Sequence, residues 1–247
     1  MLILSKPRLM RRAQGVAKGG EHPLCKFQLA AGFKPRSRNQ LRVKRLFDTV
    51  IALAVLALSA PLTGLIALLI VIDDGLPVLF VQQRVGRAGR NFRCLKFRTM
   101  RVGSGAEGGG LTVSAGDARL TRVGRRLRDW TLDEIPQLIN VVKGEMSIVG
   151  PRPWVEEQAA YCSATERRRF NMRPGMAGWA WIHGRNHLPF EERIRLDLWY
   201  VDHWSLWLDV KILAKAFVLL FRRVGVYVPA EAYEKPLNSR AGFEPRS

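Results

Sequence analysis

The sequence predicts a mostly helical α+β fold that is attached to a membrane, and three observations support this prediction. Residues 50–72 form a run of 23 residues without a charge, long enough to cross a bilayer as a helix. Residues 77–101 alternate apolar and polar side chains on either side of a turn at residues 86–91, which is typical of a β-hairpin. Residues 204–223 place tryptophan, aliphatic and basic residues at helical spacing, which favours an amphipathic helix.

The charge of the chain is unevenly distributed. The net charge is +19, and residues 1–45 contain twelve Lys and Arg residues against one acidic residue, Glu21. Such a basic tail suits a nucleic acid or an anionic lipid surface equally well. The three cysteines, Cys25, Cys94 and Cys162, lack the spacing of a metal site and indicate a reducing compartment.

The apolar segment at residues 50–72 allows two interpretations. Its length alone favours a straight transmembrane helix. However, Pro61 lies at its middle, beside Ser59 and Thr63, whose hydroxyls can bond backbone carbonyls that a kink would free. Basic residues flank the segment on both sides, and the positive-inside tendency places both flanks in the cytoplasm. We therefore predict a re-entrant helical hairpin that breaks at Ser59 and Pro61.

The predicted hairpin at residues 77–101 carries candidate phosphate ligands. Alternation along its second strand puts Lys96 and Arg98 on one face together with Cys94. Two cations on a strand face are commonly just solvated. Beside Arg152 they would instead form part of a phosphate-binding wall.

Residues 131–153 hold the strongest candidates for a reactive site. Asp133 and Glu134 are adjacent carboxylates and precede Pro136 and an apolar run at helical spacing. Proline is tolerated only in the first turn of a helix, so we predict a helix with Asp133 as its N-cap that ends at residues 143–144. Carboxylates at a helix N-terminus should be ionised at neutral pH, as a nucleophile or metal ligand requires. The alternative is that both residues merely cap the helix.

An arginine between two prolines follows this helix. Residues 150–153 read Gly-Pro-Arg-Pro, and the two prolines restrict the motion of Arg152. A guanidinium group held in this way suits the recognition of a phosphate. Helix capping alone requires no such arrangement, so the residues predict a site for a phosphate-containing substrate.

Five motifs occur in order within residues 44–227. They are Lys44-Arg45-x-Phe47-Asp48, Gln83-Arg84-x-Gly86, residues 96–100, the block at residues 132–153, and Arg173-Pro174-Gly175 followed by Gly184-Arg185-Asn186. In this combination the chain resembles the bacterial sugar transferases, the monotopic phosphoglycosyl transferases that load a sugar 1-phosphate onto polyprenyl phosphate. Ala177 and Trp181 stand where the family usually has threonine and glutamine, which leaves the preference for sugar or nucleotide open.

The resemblance implies a reaction and a role for each site residue. A UDP-sugar and polyprenyl (undecaprenyl) phosphate would give polyprenyl-diphosphate-sugar and UMP, as the first membrane step of exopolysaccharide, O-antigen or glycan assembly. Asp133 would be the nucleophile that forms a phospho-sugar ester, and Glu134 would hold Mg²⁺. Asp197, which matches an aspartate of the family pattern, would support the site. The expected phosphate ligands are Lys96, Arg98, Arg152 and Arg185.

The resemblance also divides the chain into four parts. They are a basic flexible tail at 1–43, a re-entrant membrane hairpin at 44–73, a catalytic domain at 74–228 and a flexible tail at 229–247. The catalytic domain would lie on the cytoplasmic face of the bacterial inner membrane, in contact with its lipids. The amphipathic helix at 204–223 would lie at the membrane surface, although packing against its own domain would give the same pattern.

Two other functions are compatible with parts of the sequence. A membrane-tethered nucleic-acid-binding protein would fit the net charge, but the charge is concentrated in a tail rather than on a face with exposed aromatic residues. We therefore expect no nucleic-acid partner. A non-catalytic membrane scaffold is disfavoured because both Asp133 and Glu134 are present. The transferred sugar, the pathway and the oligomeric state, including a homodimer, remain open.

Overall fold

The computed structural model describes residues 37–104, 113, 114, 116–160, 162–222 and 227. Within these residues the fold is mostly helical, as predicted, and contains two small two-stranded sheets, of which one was predicted. The helices are α1 (Arg38–Asp74), α2 (Arg122–Asp129), α3 (Gln137–Lys143), α4 (Glu156–Ala160), α5 (Trp179–Ile182), α6 (Phe190–His203) and α7 (Leu206–Arg222). The strands are β1 (Leu79–Val85), β2 (Asn91–Phe97), β3 (Ser147–Val149) and β4 (Gly175–Ala177). The tail predicted at 229–247 lies outside the described residues, as does most of the tail predicted at 1–43.

Helix α1 extends through 37 residues and includes Pro61. The sequence predicts a hairpin of two helical halves that breaks at Ser59 and Pro61. The structure instead has one helix that continues through the proline, so the predicted break is not observed. Pro61 cannot donate to the carbonyl four residues earlier. The hydroxyls of Ser59 and Thr63 contact backbone carbonyls nearby, those of Leu56 at 3.4 Å and Ala60 at 2.8 Å. Neither carbonyl is that of Ala57, the one that Pro61 leaves without its helical donor, so the contacts expected at a kink are not the ones observed.

Both halves of α1 contain residues buried against the rest of the protein, whereas its middle contains none. Ala52 is buried in the main hydrophobic core, and Ile66 and Ile70 are buried against Phe97 and Leu127. No residue of α1 between Ala52 and Ile66 is buried. Among the described residues, α1 is the one helix long and apolar enough to span a membrane.

The predicted β-hairpin is confirmed. Strands β1 and β2 pair antiparallel, with Leu79 opposite Phe97 and Val85 opposite Asn91. Strands β3 and β4 form a second, parallel pair that the sequence did not predict. Each has three residues, too few to leave a recognisable alternation of polar and apolar side chains.

A buried polar cluster attaches the first turns of α1 to the domain. Lys44 Nζ donates to Asp209 Oδ2 of α7 at 2.6 Å and to the carbonyl of Val149 in β3 at 3.0 Å. Asp48, one turn further along α1, accepts from the hydroxyl of Ser147 at 2.8 Å and from the backbone N–H of Ile148 at 3.1 Å. The first sequence motif therefore joins α1 to the strand that leads into residues 150–153.

Candidate active site

The two adjacent carboxylates lie in a short 3-10 turn, Leu132–Glu134, rather than in the first turn of an α-helix. Thr131 before it has a left-handed backbone, with φ of 58°. Helix α3 begins only at Gln137, so the predicted N-cap at Asp133 is wrong. The left-handed residue redirects the chain, and both carboxylates are buried in the protein instead of facing the free N–H groups of a helix. The predicted helix end is confirmed, because Gly144 caps α3 with φ of 86°.

The 3-10 turn forms one wall of a pocket of about 110 Å³. The other walls come from the end of β2, the Gly-Pro-Arg-Pro loop after β3, β4, α5 and α6. The structure thus brings together five of the six residues predicted for catalysis and phosphate binding, and Asp197 lies in the same pocket. The charged lining residues are Lys96, Arg128, Asp133, Glu134, Arg152, Arg185, Arg193 and Asp197.

Glu134 is held as an anion by neighbouring cations. Its Oε1 lies 2.6 Å from Lys96 Nζ and 3.6 Å from an Nη of Arg152. Burial is the largest single influence and opposes ionisation, but Lys96, Arg152 and Arg185 together prevail and lower the pKa of Glu134 to about 2. The environment of Glu134 therefore favours the ionised form at neutral pH, as expected from the sequence.

Asp133 has a different environment, although it is the adjacent residue. Within the described part of the chain its carboxylate accepts no hydrogen bond. Burial raises its pKa above the ordinary value, and the charge of Glu134 adds to this, while Lys96 acts in the opposite direction. The shift is opposite to the one expected at a helix N-terminus. A carboxylate with a raised pKa is more basic, and when ionised it is the better nucleophile of the two.

The predicted magnesium ion would have few protein ligands. Among the described residues, no group of three or more His, Cys, Asp or Glu side chains could hold a metal ion. Mg²⁺ is commonly bound by one or two carboxylates together with substrate phosphates and water. Asp133 and Glu134, side by side in a pocket lined by cations, fit such a site.

The loop that carries Arg152 is held by two arginines. Arg169 donates to the carbonyl of Arg152 at 2.9 Å, and Arg84 donates to the carbonyl of Pro153 at 3.0 Å. Arg169 is almost fully buried, with its guanidinium 3.5 Å from the ring centre of Trp154. Asp197 forms an ion pair with Arg169 at the back of the pocket. Asp197, which was predicted to support the site, therefore pairs with Arg169, and Arg169 in turn bonds the backbone of Arg152.

Arg185 and two unpredicted arginines complete the cationic side of the pocket. Arg185 donates to the Thr131 hydroxyl at 2.9 Å and lies 4.1 Å from the ring centre of Trp181. Burial lowers the pKa of Arg185 to about 10 and that of Arg193 to about 10. Arg128 reaches the pocket from α2 and donates to the Thr99 hydroxyl at 2.8 Å. The sequence did not reveal Arg128 and Arg193, because arginines on helices are usually solvated.

Arg98 does not line this pocket. Its guanidinium donates to the carbonyls of Asp74 at 2.9 Å, Gly75 at 2.6 Å and Leu76 at 3.2 Å, and pairs with the Asp74 carboxylate at 3.4 Å. Strand β2 ends at Phe97, so Arg98 does not continue its alternation and does not share the face of Lys96. Its side chain instead binds the negative end of α1. The structure gives Arg98 a part in fixing the end of α1 and none in the predicted phosphate site.

Comparisons with known proteins identify the family of the chain. Residues 39–223 match the family described as bacterial sugar transferase. The UDP-galactose-lipid carrier transferase of Erwinia amylovora is 40% identical over 199 residues, which are 75% of this chain and 42% of that protein. The undecaprenyl-phosphate galactose phosphotransferase of Salmonella typhimurium is 38% identical over 205 residues, 77% of this chain and 43% of that protein.

A shorter relative matches over most of its length. The exopolysaccharide production protein ExoY of Rhizobium meliloti is 37% identical over 198 residues, 74% of this chain and 88% of that protein. The chain thus spans about two fifths of the length of the first two relatives and most of the third. Because the family match covers about three quarters of the sequence and includes every motif of the pocket, the chain belongs to the bacterial sugar transferase family.

Proposed function

We propose that the protein is a membrane-associated phosphoglycosyl transferase. It transfers a sugar 1-phosphate from a UDP-sugar to polyprenyl phosphate and releases UMP. The observation that carries the proposal is the pair of adjacent carboxylates with opposite pKa shifts, in a pocket lined by five basic side chains. The names of the relatives, a UDP-galactose-lipid carrier transferase and an undecaprenyl-phosphate galactose phosphotransferase, support the choice of substrates.

The first half-reaction uses Asp133 as a nucleophile. A carboxylate oxygen attacks the phosphorus that carries the sugar, and the bond from this phosphorus to the bridging oxygen of the diphosphate breaks. UMP leaves with the bonding electrons, and the sugar phosphate remains as an ester on Asp133. The Asp133 carboxylate fits this role because it accepts no hydrogen bond in the described part of the chain and its pKa is raised.

The second half-reaction restores the carboxylate. A phosphate oxygen of polyprenyl phosphate attacks the same phosphorus, the bond to Asp133 breaks, and polyprenyl-diphosphate-sugar forms. Both attacks bring one anion towards another, so basic groups around the phosphorus are required. Lys96 and Arg152, held in place by Glu134, are positioned to bind the non-bridging oxygens. Bound Mg²⁺, held by Glu134 together with the phosphates, would neutralise part of the charge that develops on them.

Two apolar surfaces support attachment to a membrane. The middle of α1 is largely exposed, with no buried residue between Ala52 and Ile66, and Leu58 in it is 82% exposed. Helix α7 exposes Trp207, Phe217 and Phe221, the kind of residues that insert into the interface of a bilayer. Because both halves of α1 contact one domain, we propose that α1 enters the membrane and returns, with the domain on the cytoplasmic face.

The release of UMP tests the transferase reaction. Purified protein is incubated with undecaprenyl phosphate and a panel of UDP-sugars, and at least one pair should release UMP. Asp133→Asn should lower the rate at least about 1,000-fold, because an amide is not an anionic nucleophile. Asp202→Asn, at an ion pair on the surface, is the matched control and should keep the wild-type rate. Turnover of Asp133→Asn near the wild-type rate would exclude Asp133 as the nucleophile.

Cysteine labelling tests the topology. Cys94 and Cys162 are buried, so Cys25 alone needs replacement before single cysteines are added at Gln40 and Leu76, which are exposed on either side of the apolar segment. In intact cells both added cysteines should be protected from an impermeant thiol reagent, and both should react once the membrane is opened. Labelling of one side from outside would indicate a helix that crosses the membrane.

A further inference from the structure

A second groove lies outside the pocket, where the first turns of α1 approach the turn between β1 and β2. Its volume is about 570 Å³, and it shares no lining residue with the pocket. Five guanidinium groups line it, and none of its lining residues is acidic. The lining residues are Arg38, Leu41, Arg42, Arg45, Leu46, Thr49, Arg87 and Arg173.

Two of the five arginines are fixed by backbone carbonyls at the end of α3. Arg45 donates to the carbonyls of Val141 and Val142, and Arg173 donates to the carbonyl of Gly144 at 2.8 Å. These carbonyls form the negative end of α3. They hold both guanidinium groups in the groove, which is therefore formed before any ligand binds.

The other three arginines leave the groove with uncompensated positive charge. Arg38, Arg42 and Arg87 are exposed, and within the described part of the chain they form neither a hydrogen bond from the side chain nor an ion pair. The preceding residues 1–36 cannot balance them by composition, because they contain eight Lys and Arg and one acidic residue. Burial lowers the pKa of Arg173, and the nearby charges of Arg87 and Arg45 lower it further, while Asp48, the smallest of the four influences, raises it. An anion in the groove would relieve this repulsion.

The position of the groove indicates which anion it binds. Leu46 lines the groove and is 66% exposed, and Val50 and Leu53 continue this exposed apolar surface along α1. The groove therefore opens where the basic part of α1 gives way to the apolar part. In a membrane-attached protein this is the level of the lipid phosphates.

We propose that this groove binds the phosphodiester head group of an anionic membrane lipid, at a site separate from the pocket. The inference depends on the membrane attachment proposed above and not on the transferase reaction. Arg38, Arg42 and Arg87 bind the phosphate, Arg45 and Arg173 supply fixed positive charge behind it, and Leu41 and Leu46 contact the glycerol and the first methylenes of the chains.

Lipid binding by purified protein tests the proposal without any measurement of activity. The full chain in neutral detergent is titrated with short-chain phosphatidylglycerol, and bound lipid is counted by native mass spectrometry. Arg38→Gln/Arg42→Gln/Arg87→Gln should weaken binding about 10- to 100-fold, since each basic residue near a membrane surface contributes to the affinity for anionic lipid. Phosphatidylcholine should bind weakly to both proteins.

A triple variant on α2 is the matched control. Arg122→Gln/Arg125→Gln/Arg126→Gln removes the same charge from exposed positions next to the other end of α1, where Val123 N–H donates to Asp73 at 2.9 Å. This control should change the affinity less than about twofold. Equal losses in the two triple variants would mean that net charge alone attracts the lipid, and no loss in either would mean that the groove does not bind it. Both results overturn the proposal.

Competition by soluble phosphates and a second variant complete the test of the lipid site. Millimolar inorganic phosphate and glycerol 3-phosphate should not displace the lipid, and displacement by either would assign the groove to a soluble phosphate. If the triple variant does not fold, Arg38→Gln/Arg42→Gln replaces it, and unchanged lipid binding in that double variant also overturns the proposal. UMP release is not involved, so failure of the lipid site and failure of the transferase function are distinguishable.

Discussion

Replacing Lys44 by methionine removes the cation that the structure places between two buried carboxylates. Lys44 Nζ lies 2.6 Å from Asp209 and 3.9 Å from Asp48, and all three residues are buried. Removing one partner of a buried ion pair typically costs about 3–5 kcal/mol. Asp48 and Asp209 keep their other hydrogen-bond donors, so we expect about 3 kcal/mol. At about 2–4 °C per kcal/mol for a domain of this size, the melting temperature should fall by about 6–12 °C.

Scanning fluorimetry in detergent measures this shift, and two further variants interpret it. Lys211→Met removes a lysine from the exposed face of α7 and should change the melting temperature by no more than about 2 °C, since surface substitutions are usually within about 0.5 kcal/mol. Lys44→Met/Asp209→Asn removes both charges of the closer pair, so its loss should be smaller than the sum of the two single losses. If Lys44→Met melted within about 2 °C of wild type, the buried cluster would not be what holds α1 to the domain.

Two other substitutions separate the chemistry of the pocket from the attachment of α1. Lys96→Met removes a charge that lowers the pKa of both Asp133 and Glu134, so the acid limb of the kcat profile should move to higher pH; an unchanged limb would mean that neither carboxylate governs it. Arg98→Gln should lower the stability by about 2–3 kcal/mol in thermal unfolding, because carbonyls at the end of α1 lose a charged donor. UMP release at temperatures where the variant is folded should stay near the wild-type rate. A large loss would indicate that Arg98 binds the substrate phosphate after all.

Short sequence patterns correctly predicted two features of the fold, the β-hairpin and the C-terminal end of α3. The β-hairpin followed from alternation, and the end of α3 followed from Gly144, because glycine adopts the left-handed backbone without steric cost. The start of that helix was not predictable in the same way. Thr131 is left-handed, which is uncommon for any residue other than glycine, and no local propensity indicates it.

The residues predicted for the site lie together in one pocket where separate sequence motifs meet in space, and the prediction was wrong for Arg98, where a single strand was extended too far. Lys96, Arg152 and Arg185 come from three separate motifs and converge on the two carboxylates. Arg98, two residues beyond Lys96, lies outside β2 and binds α1 instead. The pKa of Asp133 could not be anticipated either, since its direction is set by burial, which depends on how distant segments pack.

One short segment, Val149 and Gly150, both attaches α1 to the domain and forms part of the pocket wall. Lys44 and Tyr200 both donate to the carbonyl of Val149, and the next residue, Gly150, lines the pocket. A Cβ on Gly150 would lie 2.4 Å from the carbonyl oxygen of Arg173, so the two backbones approach too closely for a side chain there. Gly150 N–H donates to the Ala177 carbonyl at 2.9 Å and Gly175 N–H donates to the Pro151 carbonyl at 2.8 Å, and these bonds hold the two segments together.

Arg152 follows Gly150 by two residues. It lies in a loop whose backbone carbonyls accept hydrogen bonds from Arg84 and Arg169. No flexible linker separates the first turns of α1 from the guanidinium proposed to bind phosphate. In a bilayer, the depth of α1 therefore sets the depth of the pocket. This rigid connection suits the proposed substrate polyprenyl phosphate, whose phosphate would lie at the membrane surface while its chain stays in the lipid.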